Sequence, residues 1–361
     1  NKPEYKYSFG YQNWYESAKY ETIHSRKHVA LFELTPFSKF ELKGSKAHDV
    51  LQYLCANNIK DIDGATTYTQ MLNPKGGIEA DLTVTRIEKN NFRVISGAAV
   101  RTHDKKHILN NLKFDVEFND ITENFACLGI FGPKSRELLT ELVGNEFDTE
   151  QFPFATGKYL NLLGISIWFQ RLSYVGELGW EIYIPMKNGK KIYDAIIEAG
   201  KNHRLIHAGA HAMDIMRMEK MYLHWGHDIS PEENPYQAGL GFVVQLNKEQ
   251  DFIGKASLIN IKQHQLTKRM FMLTLNNSDP GKPLLLHDEP IYCEGKIIGE
   301  TTSSNYSFNY KKNMALGYLN LLDSKEELQK KQFQIEVAKI KYDSTLQLKA
   351  LHDPTNILMK K

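Results

Sequence analysis

Hydrophobic and polar residues alternate with the period of a strand, or recur with the period of a helix, along most of the chain. In the first 245 residues or so the two patterns are mixed, and strand–helix units occur twice. From Arg269 onward strand patterns dominate, and turn signals such as Asp279-Pro280-Gly281 separate them. The pattern therefore predicts two α+β units followed by a small all-β domain, with any pocket where they meet.

The clearest strand pattern follows a Pro-Lys-Gly-Gly turn in NPKGGIEADLTVTR, residues 73–86. Its apolar face carries Ile78, Ala80, Leu82 and Val84, and its polar face carries Glu79, Asp81, Thr83 and Thr85. Together with residues 67–73, which are also strand-like, the turn predicts an antiparallel hairpin. By alternation alone, Asp81 is an ordinary solvent-facing residue.

A second carboxylate lies within LSYVGELGWEIYIP, residues 172–185. Glu181 sits in a strand of bulky apolar residues, where its side chain points away from Trp180 and Ile182 and shares a face with Tyr183. Two interpretations remain open from the residues. Glu181 is either an edge-strand acid facing water, or a pocket carboxylate that accepts paired N–H donors from a planar heterocycle.

Composition narrows the class of protein. With 361 residues, 42% of them hydrophobic and 24% charged, the chain is long enough for two or three packed domains. The formal net charge of +2 gives no electrostatic argument for a nucleic-acid partner. No apolar run approaches the ~18 residues of a membrane span, so we expect no membrane partner.

Common metal and catalytic motifs are missing from the sequence. Cys55, Cys127 and Cys293 are widely spaced, which argues against structural zinc and against a disulfide framework. His224 and His227 follow a Met-rich helix predicted over residues 208–223, but they lack the spacing of a metal motif, so we expect no metal. The chain has no GxGxxG turn after a strand, no phosphate-binding loop and no GxSxG elbow.

Seven segments taken together resemble the folate-binding family of the glycine-cleavage T-protein. The resemblance is stronger to the C-terminal, folate-binding half of the dimethylglycine and sarcosine dehydrogenases. The segments occur in family order and cover nearly the whole chain: LTPFSKFELKG, QMLNPKGGIEADLTV, LGIFGPKSRELL, SYVGELGWEIYIP, MRMEKMYLHWGHDISPEENPYQAGL, DFIGKASL and GETTSSNYS with ALGY.

The resemblance implies a three-domain cloverleaf of α+β class, with two mixed α/β folate-binding units and a C-terminal β-barrel. We expect one folate-binding domain to comprise residues 1–50 and 158–262, and the other to comprise residues 51–157. Residues 263–361 would form the barrel.

The resemblance also implies a tetrahydrofolate site. Asp81 stands where the family has its catalytic Asp, and Tyr68 on the preceding strand matches a family Tyr. Tyr174 and Glu181 match the Tyr and the pterin-binding Glu. Ser96, which replaces a family Asn, and Trp225 complete the predicted cofactor-binding set.

The implied chemistry is transfer of a formaldehyde-level carbon from an N-methylated glycine-type amine or its iminium to tetrahydrofolate, which gives 5,10-methylenetetrahydrofolate. A carboxylate in such a site can take a proton from nitrogen and stabilise an iminium cation. Two alternatives share the fold: a folate-dependent demethylase of a sulfur or oxygen donor, and a regulatory protein without catalysis. An iron–sulfur assembly role is disfavoured because the motif KGCYxGQE is absent.

Departures from the T-protein pattern weaken the case for lipoyl-arm glycine cleavage and are compatible with the dehydrogenase branch. A family Arg is Met213 here, and the segment LHDPTNILMKK lacks a clear counterpart of a C-terminal basic residue. In the dehydrogenase branch a flavin domain precedes a segment like FGYQNWYESAKYE, so FAD is expected only in a separate domain or in a flavin-dependent dehydrogenase partner. We expect the compartment to be a bacterial cytoplasm or a mitochondrial matrix.

Overall fold

The computed structural model describes residues 4–113, 115–320 and 323–361. Its helices are α1 (Tyr15–Lys27), α2 (Ala47–Leu54), α3 (Arg101–Asn110), α4 (Ser135–Val143), α5 (Gly189–Gly200), α6 (Ala210–Glu219), α7 (Lys255–Gln263), α8 (Lys325–Leu328) and α9 (Ile357–Lys360). Its strands are β1 (Ala30–Glu33), β2 (Ser38–Lys43), β3 (Thr66–Leu72), β4 (Ile78–Glu88), β5 (Asn91–Ser96), β6 (Glu117–Asp120), β7 (Phe125–Phe131), β8 (Gly157–Leu162), β9 (Ile165–Gln170), β10 (Gly179–Pro185), β11 (Ile206–Ala208), β12 (Lys268–Leu275), β13 (Pro290–Cys293), β14 (Lys296–Ser307), β15 (Lys312–Asn320), β16 (Phe333–Val337) and β17 (Ile340–Gln347).

A five-stranded antiparallel sheet with the order β3-β4-β5-β2-β6 contains the predicted hairpin. Its first two strands are joined by a turn in which the Asn73 side-chain oxygen accepts hydrogen bonds from the backbone N–H groups of Lys75 and Gly77. Gly76 has a φ of +87°, a conformation that favours glycine. The apolar face of β4 packs on α2 and α3, as the alternation predicts.

A six-stranded sheet with the order β11-β1-β7-β10-β9-β8 forms the second layer. Only the β1–β11 pair is parallel among its described pairings. One face packs on α4 and α5 through a cluster that includes Trp180 and Ile182. The other face carries Tyr183 and Cys127, and it is turned toward the five-stranded sheet.

The two sheets face each other, and we refer to the region between them as the cleft. Ile87 and Ile95 of the five-stranded sheet belong to the same packed cluster as Trp168 and Tyr183 of the six-stranded sheet. Ile95 lies opposite Thr83, so it shares a face with Asp81. The polar face of β4 is therefore a wall of this cleft and not an outer surface.

The C-terminal strands close into the barrel β12-β15-β14-β13-β16-β17. Hydrogen bonds of a buried arginine link α6 to the loop that follows it and to the barrel. The Arg217 side chain donates to Asp214 at 2.8 Å, to Asp228 at 2.7 Å and to Ser303 of β14 at 2.9 Å. Because each of its three nitrogens has a partner and two partners are carboxylates, this arrangement avoids an uncompensated buried charge. The α+β class with a C-terminal barrel is confirmed.

Strand pairing does not follow the domain limits expected at residues 50 and 157. Strand β2 (Ser38–Lys43) pairs with β5 and β6, and so belongs to the five-stranded sheet. Strand β7 (Phe125–Phe131) pairs with β1 and β10, and so belongs to the six-stranded sheet. The chain crosses between the sheets more often than the expected limits imply.

The helix predicted over residues 208–223 ends earlier, at Glu219. Met221 has a φ of +56°, which breaks the helical path, and the Tyr222 N–H bonds to the Arg217 carbonyl. Residues beyond the helix then fold back toward the hairpin turn. Trp225 Nε1 donates to the Ile78 carbonyl oxygen at 2.9 Å, and the Ile78 N–H donates to the Glu233 carbonyl at 2.9 Å.

Gly77→Ala tests how closely this returning segment approaches the hairpin. A Cβ on Gly77 would overlap the backbone carbonyl oxygen of Pro231, and backbone gives way less easily than a flexible side chain. We expect the substitution to lower the free energy of unfolding by about 1–3 kcal/mol. Urea denaturation followed by circular dichroism measures the change.

Gly189→Ala is the matched control, because Gly189 has a φ of −49° and an added Cβ would make only ordinary contact with Ala126. We expect its stability to equal or slightly exceed that of the unsubstituted protein. Equal stability of Gly77→Ala and Gly189→Ala would contradict the close approach.

Candidate functional site

Asp81 lies on β4, directly opposite Gln70 of β3. The Gln70 side-chain Nε2 donates to Asp81 Oδ1 at 2.8 Å. Tyr68, two residues before Gln70 on the same face, places its hydroxyl within hydrogen-bonding reach of the same carboxylate. In this cleft Asp81 thus receives an amide donor from Gln70 and has the Tyr68 phenol beside it, and no ion pair to it is found in residues 4–113, 115–320 and 323–361.

Burial raises the pKa of Asp81 to about 6. Hydrogen bonds from Gln70 and Tyr68 stabilise the ionised form and act against this rise, while the neighbouring Asp104 carboxylate adds to it. Asp104, on α3, is itself buried, and burial raises its pKa too. A carboxyl group with a pKa near 6 exchanges its proton readily at neutral pH, as a general acid or base must.

Tyr174 approaches the same carboxylate from the loop between β9 and β10. Its hydroxyl donates to the Leu223 carbonyl oxygen at 2.9 Å. Burial raises the pKa of Tyr174, and the charges of Arg217 and Asp81 both act on it. Tyr174 also contributes to the raised pKa of Tyr68. The structure therefore brings together three predicted site residues, Asp81, Tyr68 and Tyr174.

Glu181 lies on the opposite wall of the cleft. The Tyr183 hydroxyl donates to Glu181 Oε2 at 2.6 Å, and Gln170 of β9 lies directly opposite Glu181 in the sheet. Burial raises the pKa of Glu181, whereas the Tyr183 hydrogen bond and the Lys39 charge lower it. Of the two interpretations left open, the structure thus favours the pocket carboxylate, because an acid facing open water would not be desolvated.

Two other predicted site residues, Ser96 and Trp225, do not point into the cleft as Asp81 does. Ser96 opposes Leu82, so by register it points to the other side of β4 from Asp81, and its hydroxyl interacts with Asp104. Trp225 donates to the Ile78 carbonyl oxygen, and its ring packs against His103 at 4.9 Å between centroids. Ser96 contacts a neighbour of Asp81, and Trp225 holds the start of β4. Their roles toward a ligand stay predictions.

The cleft contains polar residues that the sequence motifs did not single out. They are Gln70, Arg93, Lys39 and Gln170, while Asp104 of α3 lies behind β4, on the side of Ser96. The sequence contained enough information to find Gln70, because the short turn of the hairpin places it opposite Asp81. The others come from separate strands and a helix, and their proximity depends on how the sheets face each other.

Other features of the surface supply no competing site. No group of three or more His, Cys, Asp or Glu side chains with metal-site geometry is found in the described ranges. None of the helices in these ranges is long and apolar enough to cross a membrane. An open groove of about 490 Å³ lies between the sheets near Glu33, Arg101 and Glu123, but Asp81 and Glu181 do not line it.

Comparison with protein families gives two matches that together span most of the chain. The model described as GCVT N-terminal domain matches residues 3–248. The model described as glycine cleavage T-protein C-terminal barrel domain matches residues 268–353. The boundary between the two models falls just before β12, where the barrel begins.

Two curated relatives show how the chain compares with whole proteins. Aminomethyltransferase of Thermotoga maritima is 31% identical over 309 residues, covering 85% of this chain and 82% of that protein. Human mitochondrial dimethylglycine dehydrogenase is 36% identical over 319 residues, covering 88% of this chain but 36% of that protein. The chain thus spans little more than a third of the length of the dehydrogenase.

A solved structure has the same fold. The glycine cleavage system aminomethyltransferase T from Bartonella henselae superposes with a TM-score of 0.82 and 20% sequence identity, over 97% of this chain and 94% of that one. This likeness supports the three-part architecture.

The raised pKa of Asp81 predicts a pH-dependent difference in stability between the protein and its Asp81→Asn variant. Because the folded-state pKa of about 6 exceeds the usual 3.8, the folded protein holds this proton more tightly than the unfolded chain. The stabilisation is complete below about pH 4 and is lost as the pH rises through 6. We expect Asp81→Asn to be more stable than the unsubstituted protein by about 1–3 kcal/mol at pH 7.5, but not at pH 4.

Urea denaturation at half-unit intervals from pH 4 to 7.5 measures this difference. The exposed carboxylate of Glu150 provides the control, and we expect Glu150→Gln to follow the unsubstituted protein at every pH. A constant offset for Asp81→Asn across the range would contradict a raised pKa.

Proposed function

This chain belongs to the glycine cleavage T-protein family, a family of aminomethyltransferase-type enzymes, and from this premise we propose what its cleft does. The cleft binds tetrahydrofolate and passes to it a carbon at the formaldehyde level, giving 5,10-methylenetetrahydrofolate. The carbon comes from an N-methylated glycine-type amine. The observation that carries the proposal is the pair of partly buried carboxylates with raised pKa values, Asp81 and Glu181, on facing sheets.

The residues around Asp81 fit a ligand that brings N–H groups. The Gln70 Oε1 atom is buried and has no hydrogen-bond donor among the residues described. The Asp81 carboxylate beside it is a second acceptor. Tetrahydrofolate supplies two amine nitrogens, N5 and N10, that accept a one-carbon unit. In this proposal Asp81 orients these amines, and its pKa near 6 allows it to take up the proton that one of them loses.

The residues around Glu181 fit the aminopyrimidinone edge of a pterin. The Tyr183 hydroxyl uses one lone pair of Oε2, so that Oε1 and the second lone pair of Oε2 are left to accept from a ligand. A carboxylate that accepts two parallel N–H bonds fixes the orientation of a planar ring as well as contributing energy. With Glu181 holding the ring and Asp81 facing its amines, the two walls have separate roles: Glu181 binds and Asp81 acts in the reaction.

The roles proposed for this chain's residues cover transfer of the carbon to tetrahydrofolate. They do not cover oxidation of the amine donor. The region that matches this chain makes up 36% of human dimethylglycine dehydrogenase, and the name of that protein describes a dehydrogenase. By analogy, we assign amine oxidation, with FAD, to a flavin-dependent dehydrogenase domain or partner chain that delivers the iminium or formaldehyde. The named relatives come from mitochondria and from a bacterium, consistent with a mitochondrial matrix or a bacterial cytoplasm for this chain.

Separate substitutions of the two carboxylates test the division of roles. We expect Asp81→Asn to bind tetrahydrofolate within about threefold of the unsubstituted protein, and to lose at least about 100-fold in turnover of formaldehyde to methylenetetrahydrofolate. Glu181→Gln should weaken binding by about 10- to 100-fold, because it loses the charge that strengthens the hydrogen bonds to the ring. Isothermal titration calorimetry and a coupled assay of the product provide the two readouts.

Glu150→Gln serves again as the control, since its exposed carboxylate lies outside the cleft, and both readouts should stay unchanged. Absence of tetrahydrofolate binding at about 100 μM would refute the proposed function, because weaker affinity does not suit a dedicated site. Equal loss of binding and turnover in Asp81→Asn would refute only the role given to that residue.

A further inference from the structure

Arg93 is a buried cation in the floor of the cleft. It lies on β5 opposite Thr85, on the same face of the five-stranded sheet as Asp81, and is 2% exposed. Its guanidinium carbon lies 4.9 Å from the ring centre of Phe125, 5.5 Å from that of Tyr183 and 5.9 Å from that of Trp168. Tyr183 is the residue whose hydroxyl bonds to Glu181, so Arg93 lies beside the Glu181 wall.

Two nitrogens of Arg93 lack an acceptor among the residues that the structure describes. Its Nε and Nη1 atoms are buried, and the described residues offer them no hydrogen-bond partner. Two other buried arginines differ in this respect. Arg26 donates through all three of its nitrogens to Glu219, Glu177 and backbone carbonyls. Arg217 likewise donates through all three.

A second unpaired donor lies on the facing wall. Gln170 is fully buried and stands opposite Glu181 in the sheet. Its Oε1 accepts from Trp168 Nε1 at 3.0 Å, which fixes the amide so that Nε2 is the free group, and Nε2 has no acceptor among the described residues. Unpaired buried donors are costly, more so on a charged group. A ligand that brings an acceptor oxygen would relieve this cost.

We propose that Arg93, supported by Gln170, donates a hydrogen bond to the 4-oxo oxygen of the pterin ring and selects 4-oxo over 4-amino rings. This inference rests on the proposed function, in which Glu181 holds the aminopyrimidinone edge. That edge presents two N–H donors beside one carbonyl acceptor. A carboxylate matches the donors and an arginine N–H matches the carbonyl. A 4-amino ring would present N–H groups to unpaired donors, which a site built in this way rejects.

Arg93→Met tests the selection, because methionine keeps the length and apolar packing of the side chain but removes every donor. The probes are tetrahydrofolate and its reduced 4-amino analogue, and calorimetry gives the ratio of their dissociation constants. We expect Arg93→Met to lower the preference for the 4-oxo ligand by about tenfold or more, mainly through weaker tetrahydrofolate binding. Arg93→Lys, which keeps a donor, should retain part of the preference.

Arg171→Met controls for loss of a buried arginine over an aromatic ring. Arg171 is fully buried and lies 5.5 Å from the ring of Trp180, which packs on the face of the six-stranded sheet away from the cleft. We expect this variant to lower the melting temperature and to leave the ligand ratio unchanged. A merely structural role for Arg93 would give the same pattern, with both ligands weakened equally.

An unchanged ratio in Arg93→Met, in a protein that binds tetrahydrofolate, would therefore overturn this inference and leave the proposed function standing. Failure of the unsubstituted protein to bind either ligand would overturn both.

Discussion

Two partly buried carboxylates, without a cation bonded to either in the described residues, are the constraint on which this structure depends. Asp81 receives its hydrogen bond from Gln70, and Glu181 receives its own from Tyr183. Burial in a medium of low dielectric disfavours the charged form, so both pKa values are raised. Hydrogen bonds from these uncharged donors orient the carboxylates but do not hold them in the ionised state. Such an arrangement lowers stability at neutral pH and is typical of a site that binds or reacts.

The fold maintains this constraint by closing the cleft from two sides. At one end, the segment after α6 docks on the hairpin turn, where Gly77 allows the backbone at Pro231 to approach and Trp225 bonds to Ile78. On the barrel side, Arg217 links α6 to Asp228 and Ser303. Removing one partner from such a buried network leaves an uncompensated charge, so the barrel is held firmly against α6.

Local patterns were sufficient to predict the hairpin and the faces of β4 and β10. They could not show that the polar face of β4 is buried, because alternation reports that two faces differ and not what each of them contacts. The ordered family segments changed the interpretation of Asp81 from a surface residue to a site residue. For Ser96 they did not anticipate the register, which directs its side chain to Asp104.

The remaining features depend on contacts between distant strands. Domain limits were expected at residues 50 and 157, yet β2 and β7 each join the other sheet, and only long-range pairing reveals this. Arg93 and Lys39 look like ordinary charged residues of exposed strand faces in the sequence. They prove to be buried because the six-stranded sheet covers them, and no local signal encodes that covering.

A crystal structure of the protein with bound tetrahydrofolate would test the central claim most directly. The account predicts electron density for the pterin between the two sheets, with its 2-amino edge on Glu181 and its reacting amines facing Asp81. Density in the open groove beside Glu33 and Arg101, or on an outer face of either sheet, with the cleft empty, would contradict it.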